Sequence, residues 1–83
     1  MSVETPDFVA MVKRMLRAAG RRVAAGDEWE LAELVSLRGD LEDAIQAGVD
    51  GLREQGHSWQ YIADGLGISR QAAHERYGRK EAA

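Results

Sequence analysis

Apolar residues recur along most of this chain with the period of an α-helix. Phe8, Val12, Met15, Ala19 and Val23 follow one another at spacings of four, three, four and four, which places them on one helical face. Thr5-Pro6 ahead of them reads as an N-cap followed by proline at the first helical position, so a first helix is predicted to end near Gly26. Asp27 is a good N-cap for a second helix, in which Leu34, Leu37, Leu41, Ile45, Val49 and Leu52 keep the stripe as far as Gln55-Gly56. The short link predicts that the two helices run antiparallel as a hairpin. Gly39, Gly48 and Gly51 weaken the second helix, and Arg38-Gly39-Asp40 offers a break with Asp40 as a new cap. A single helix with a kink at Gly39 is the preferred reading, with close approach of another helix as a second use for these glycines. An Arg-Gly-Asp tripeptide inside such a pattern is read as chance rather than as an adhesion motif. No strand alternation of useful length occurs.

From Gly56 the texture changes. Gly-His-Ser-Trp supplies a stop, a turn and Ser58 as the N-cap of a short helix through Leu66, and Gly67-Ile68-Ser69 reads as a tight turn whose Ser69 caps a further helix. Two short helices about a three-residue, glycine-containing turn are the requirement of a helix-turn-helix: glycine allows the sharp reversal, and small residues allow the crossing. Ala63 is small at the expected crossing. Ile62, Leu66 and Ile68 fill the space between the helices, Ala72, Ala73 and Tyr77 contribute from the second, and the stretch from Leu41 to Leu52 supplies the third side of a tri-helical core. Trp29 and Trp59 are expected as core or hairpin-packing anchors, with an exposed dimer contact as the other reading.

The segment from Trp59 to Gly78, through Ile62, Ala63, Leu66, Gly67, Ile68, Ser69, Arg70 and Ala73, resembles the helix-turn-helix of bacterial transcription regulators and of sigma-factor region-four domains. It resembles especially the small helix-turn-helix proteins of actinobacteria and their phages. The tight match covers about a quarter of the chain. Arg76 departs from the pattern, standing where such motifs place an apolar core residue. Either its stem packs while the guanidinium reaches out, or Tyr77 takes over as the anchor and the last helix is rotated.

The resemblance implies a last helix, residues 69–80, docked in a DNA major groove. Its exposed front then presents Ser69, Arg70, Gln71 and His74, with Glu75 and Gly78 on the same side. Arginine bonds guanine bidentately and glutamine bonds adenine, while Ser69 and the helix N-terminus hold a phosphate. Arg79 and Lys80, with Ser58 and Gln60 at the start of the preceding helix, are expected as backbone contacts that set register. Glu75 is expected to pair with Arg79.

Composition changes this picture in three ways. The 83 residues with one Pro suit a single domain, a helical hairpin over residues 5–55 and the helix-turn-helix over 56–80, with too little chain for a deep catalytic cavity. The net charge of -3 is unevenly spread. Lys13, Arg14, Arg17, Arg21 and Arg22 make the first helix basic, nine carboxylates against Arg38 and Arg53 make residues 26–56 acidic, and the terminal segment returns to a slight positive balance. Both ends can face phosphate, and the basic first helix complements the acidic second, within a hairpin or between protomers. With no Cys, thiolate metal sites and disulfides are excluded.

His57 and His74 are the only histidines, and the position four after His74 is Gly78, so the zinc-protease pattern fails; no phosphate-cradling glycine motif or Ser-His-acid spacing occurs either. No enzyme activity, metal, cofactor or small-molecule ligand is expected. Neither a membrane span nor a signal-peptide core is evident, and a cytoplasmic, nucleoid-associated location is expected. The reading is a sequence-specific regulator of transcription, repressor-like or architectural, binding double-stranded DNA as a homodimer through helices one and two. Its alternative is a non-enzymatic protein-interaction adaptor that docks through the acidic middle helix.

Overall fold

The computed structural model describes residues 4–78, which form four α-helices and no strand. These are α1 (Thr5–Ala24), α2 (Glu28–Glu54), α3 (Trp59–Leu66) and α4 (Arg70–Tyr77). The fold is all-α. The chain divides into two compact units, residues 1–39 and 40–83, with the division falling inside α2. None of these helices is long and apolar enough to cross a membrane.

In the first unit, Glu4 rather than Thr5 is the extended N-cap of α1, and it makes no side-chain cap bond. Thr5 is already helical, and Pro6 sits in the first turn, where its missing N–H costs nothing because the first four helical donors lack an intrahelical partner. Asp27 caps α2 as its position predicts: its Oδ1 accepts from the Trp29 N–H at 3.1 Å and the Glu30 N–H at 3.3 Å. The expected apolar hairpin does not close. No residue of α1 is buried, and within this unit α1 and α2 scarcely approach one another beyond their link. Phe8 is 51% exposed, Met15 64%, and Trp29, expected as an anchor, 72%. Two helices alone offer each other one face and supply no third element to cover what remains.

The helical backbone of α2 continues through Arg38-Gly39-Asp40, so no new helix starts at Asp40. A Cβ built at Gly39, Gly48 or Gly51 meets nothing within 4 Å, so within this chain these glycines serve no close approach.

The core belongs to the second unit. Val49 of α2, Ile62 of α3 and Tyr77 of α4 are its buried centre, with Ile45, Leu52, Trp59, Leu66 and Ile68 packed around them. Ala63 and Ala73 are fully buried, which lets α3 and α4 come together closely. Leu41, expected to contribute, is 58% exposed; the core-facing part of α2 begins one turn later, at Ile45.

The choice left open at Arg76 resolves toward Tyr77. The Tyr77 ring is buried, whereas Arg76 projects outward and its Nη2 lies 3.7 Å from Glu42 Oε1, both side chains more than half exposed. An exposed pair of this kind contributes at most about 1 kcal/mol. The α4 C-terminus is tied down more directly. Gln46 Nε2 donates to the Tyr77 carbonyl and to Asp50 Oδ1, each at 2.9 Å.

Three measurements check this account by urea unfolding. Tyr77→Ala, which empties the centre of the core, is expected to cost about 3 kcal/mol or more. Gln46→Ala, which strands the Tyr77 carbonyl, is expected to cost about 1 kcal/mol. Gly39→Ala, placed in open space on a regular helix, is expected to stabilise by up to about 1 kcal/mol.

Candidate nucleic-acid interface

Two glycines and two serines set the geometry of the terminal helices. α2 stops at Gly56, whose φ of 92° is left-handed. The His57 N–H reaches back to the Leu52 carbonyl at 3.1 Å and the Gly56 N–H to the Arg53 carbonyl at 2.9 Å, the paired bonds of a Schellman ending. Gly67, at φ 73°, ends α3 in the same left-handed region, and the Ile68 N–H bonds the Ala63 carbonyl at 3.1 Å. Side chains rarely adopt this conformation, which costs an L-residue about 1–2 kcal/mol.

After each glycine a serine starts the next helix. Ser58 Oγ accepts from the Tyr61 N–H at 3.0 Å, and Ser69 Oγ accepts from the Ala72 N–H at 3.1 Å. The N–H groups of Arg70 and Gln71, at the start of α4, precede the first intrahelical bond and point forward, as the first donors of any helix do. Both serines therefore act first as caps. Their expected role at phosphate has to be shared with that bond.

The burial of Ala73 and Tyr77, four apart on α4, turns Gln71, His74 and Glu75 outward. Ser69 and Arg70, at the helix start, are exposed as well, as are Ser58 and Gln60 on the α3 side. Gly78 does not join them: it is buried, and an added Cβ would come within 2.5 Å of the His74 carbonyl oxygen. Arg79 and Lys80, the remaining expected contacts, lie outside the described residues. So does the partner expected for Glu75, whose Oε1 instead accepts from Gln71 Nε2 at 3.1 Å. That bond uses one of the two amide hydrogens of Gln71, leaving the other and its carbonyl oxygen able to form further hydrogen bonds. Gln60 is held similarly by Asp64, at 2.9 Å.

Ser69 apart, these exposed residues share one surface groove of about 640 Å³, lined by Arg53, Ser58, Trp59, Gln60, Arg70, Gln71, His74 and Glu75. Sequence reasoning missed Arg53 and did not place Trp59 in this groove. Arg53 stands in the last turn of α2, its Nη1 donates to the His57 carbonyl at 2.8 Å, and its guanidinium lies 5.1 Å from the Trp59 ring centroid. Trp59 meets His74 edge-on at 5.2 Å, so the indole packs against the core on one side and supports the His74 ring on the other. A basic residue in the last helical turn before a glycine stop was the available signal for Arg53; counting it within an acidic segment concealed it. His57 stacks on Tyr61 nearby, with ring centroids 4.2 Å apart.

The charge balance of the groove is modestly positive. Arg53 and Arg70 face one carboxylate, Glu75, with His74 counted neutral, whereas the whole chain carries -3. Among the described residues no cluster of three or more His, Cys, Asp or Glu stands close enough to hold a metal ion. Comparison with models of known families, with characterised proteins and with solved structures found no match to this chain.

Replacing Gly67 by alanine is expected to lower stability by about 1–2 kcal/mol through its left-handed backbone. Ser69→Ala is expected to cost about 1 kcal/mol through the lost cap. Thermal unfolding followed by circular dichroism checks both.

Proposed function

We propose that this chain is a non-enzymatic, sequence-specific DNA-binding protein, a small regulator of transcription, that places α4 in the major groove. The observation that carries the reading is the outward face of α4. Arg70, Gln71 and His74 stand side by side at the front of a short, well-capped helix, beside Arg53, in a locally positive groove on an acidic chain. A guanidinium and an amide on adjacent residues suit the acceptor pair of guanine and the donor–acceptor pair of adenine. The forward N–H groups of α4, with Ser58 and Gln60 across the groove, suit the flanking phosphates. The resemblance of residues 59–78 to bacterial helix-turn-helix segments agrees with this placement.

The experiment is a fluorescence-anisotropy titration of random and selected duplex DNA at two salt concentrations, with wild type and an Arg70→Ala/Gln71→Ala variant. Wild-type affinity is expected to fall with salt, as phosphate contacts require. The variant is expected to lose about tenfold or more on the selected duplex for each bidentate contact removed, and much less on random DNA. A folded protein that binds neither duplex at low salt would overturn the reading and direct attention to a basic protein partner for the acidic α2.

A further inference from the structure

We infer that the uncovered apolar surface of residues 4–39 is an interface with a second copy of this chain, in which α1 of each copy lies against the first half of α2 of the other. This inference is independent of what α4 binds. No residue from 4 to 39 is buried, yet ten large apolar side chains there are between about a third and three-quarters exposed, among them Phe8, Met15, Leu16, Trp29, Leu31 and Val35. Helices in water owe their stability mainly to a packed face, and α1 has none in the single chain.

Charge selects the occupant. α1 carries Lys13, Arg14, Arg17, Arg21 and Arg22 against Asp7, whereas the first half of α2 carries Glu28, Glu30 and Glu33 against Arg38. Among the described residues none of these groups is held in an ion pair. Setting α1 against α1 of a second copy would crowd basic flanks together, and α2 against α2 would do the same with acidic ones. Setting α1 against α2 of the second copy brings opposite charges alongside the apolar seam. A two-fold axis forms that contact twice and closes the assembly as four helices, two from each copy. An anionic bilayer would suit α1 alone, but it would repel the carboxylates that begin α2.

The test combines sedimentation with cross-linking. The wild-type chain is expected to sediment at twice its 9.1 kDa mass, and Met15→Glu is expected to shift it to monomer. Because the chain has no cysteine, Leu16→Cys and Val35→Cys each introduce a single thiol, near the middle of α1 and of the exposed part of α2, so that either chain direction brings them near. Mixed and re-equilibrated, the two variants are expected to join through a short bifunctional thiol linker far more than either does alone. Cross-linking of Leu16→Cys with itself as the dominant product would overturn the pairing even if Met15→Glu merely fails to fold. A wild-type chain that stays monomeric would overturn the interface, and its flotation with phosphatidylglycerol vesicles would assign the face to lipid instead.

Discussion

The burial of Tyr77 between α2 and α3 fixes the rotation of α4 about its own axis, and every other property of the terminal unit follows from that angle. With Tyr77 and Ala73 turned inward, Gln71, His74 and Glu75, each one or two positions from one of them, stand outward, and Arg70 joins them as an exposed residue at the helix start. Gln46 reinforces the same angle from α2 by holding the last carbonyl of α4. Had Arg76 taken the inward position, its charge would have required a buried partner, and the outward face would have been composed differently. The tyrosine supplies the large apolar body that the site needs without that cost.

Local chemistry then sets the two ends of the groove. Each terminal helix begins at a serine cap and follows a left-handed backbone position that glycine fills without strain, so the reversals at Gly56 and Gly67 are determined over a few residues. The aromatic pair Trp59 and His74 connects this frame to the core, since the indole takes part in both. The first unit has no comparable device. Its link through Asp27 is well capped, but its helices bring nothing to cover their apolar faces.

This difference explains what the amino-acid order disclosed and what it withheld. Caps and stops are local, and Ser58, Ser69, Gly56, Gly67 and Asp27 stand where their side-chain chemistry places them. The helical period disclosed the first two helices, the same caps and stops disclosed the last two, and the core positions Ile62, Ala63, Leu66, Ile68 and Tyr77 followed from the arrangement of short helices about a glycine turn. Periodicity says which face of a helix is apolar, not what covers it, so Trp29 and the stripe of α1 were expected to be packed and stand exposed in the single chain. The part played by Arg53 was hidden for a related reason: the groove is assembled from three helices, and the approach of α2's last turn to α4 is a tertiary fact with no local pattern. Gly78 followed the helical wheel outward on paper, but the helix ends at Tyr77, and its backbone turns the residue inward.

At eight residues each, α3 and α4 are too short to persist as helices in water by themselves, and their order is borrowed from the small cluster of Val49, Ile62 and Tyr77. The exposed face of α4 and the interior behind it are therefore a single thermodynamic object. Whatever grips that face selects the folded arrangement of all three helices, and by mass action raises the temperature at which they come apart. Conversely, heat that loosens the interior dissolves the arrangement of Arg70, Gln71 and His74 in the same transition, leaving no half-folded form that still presents it.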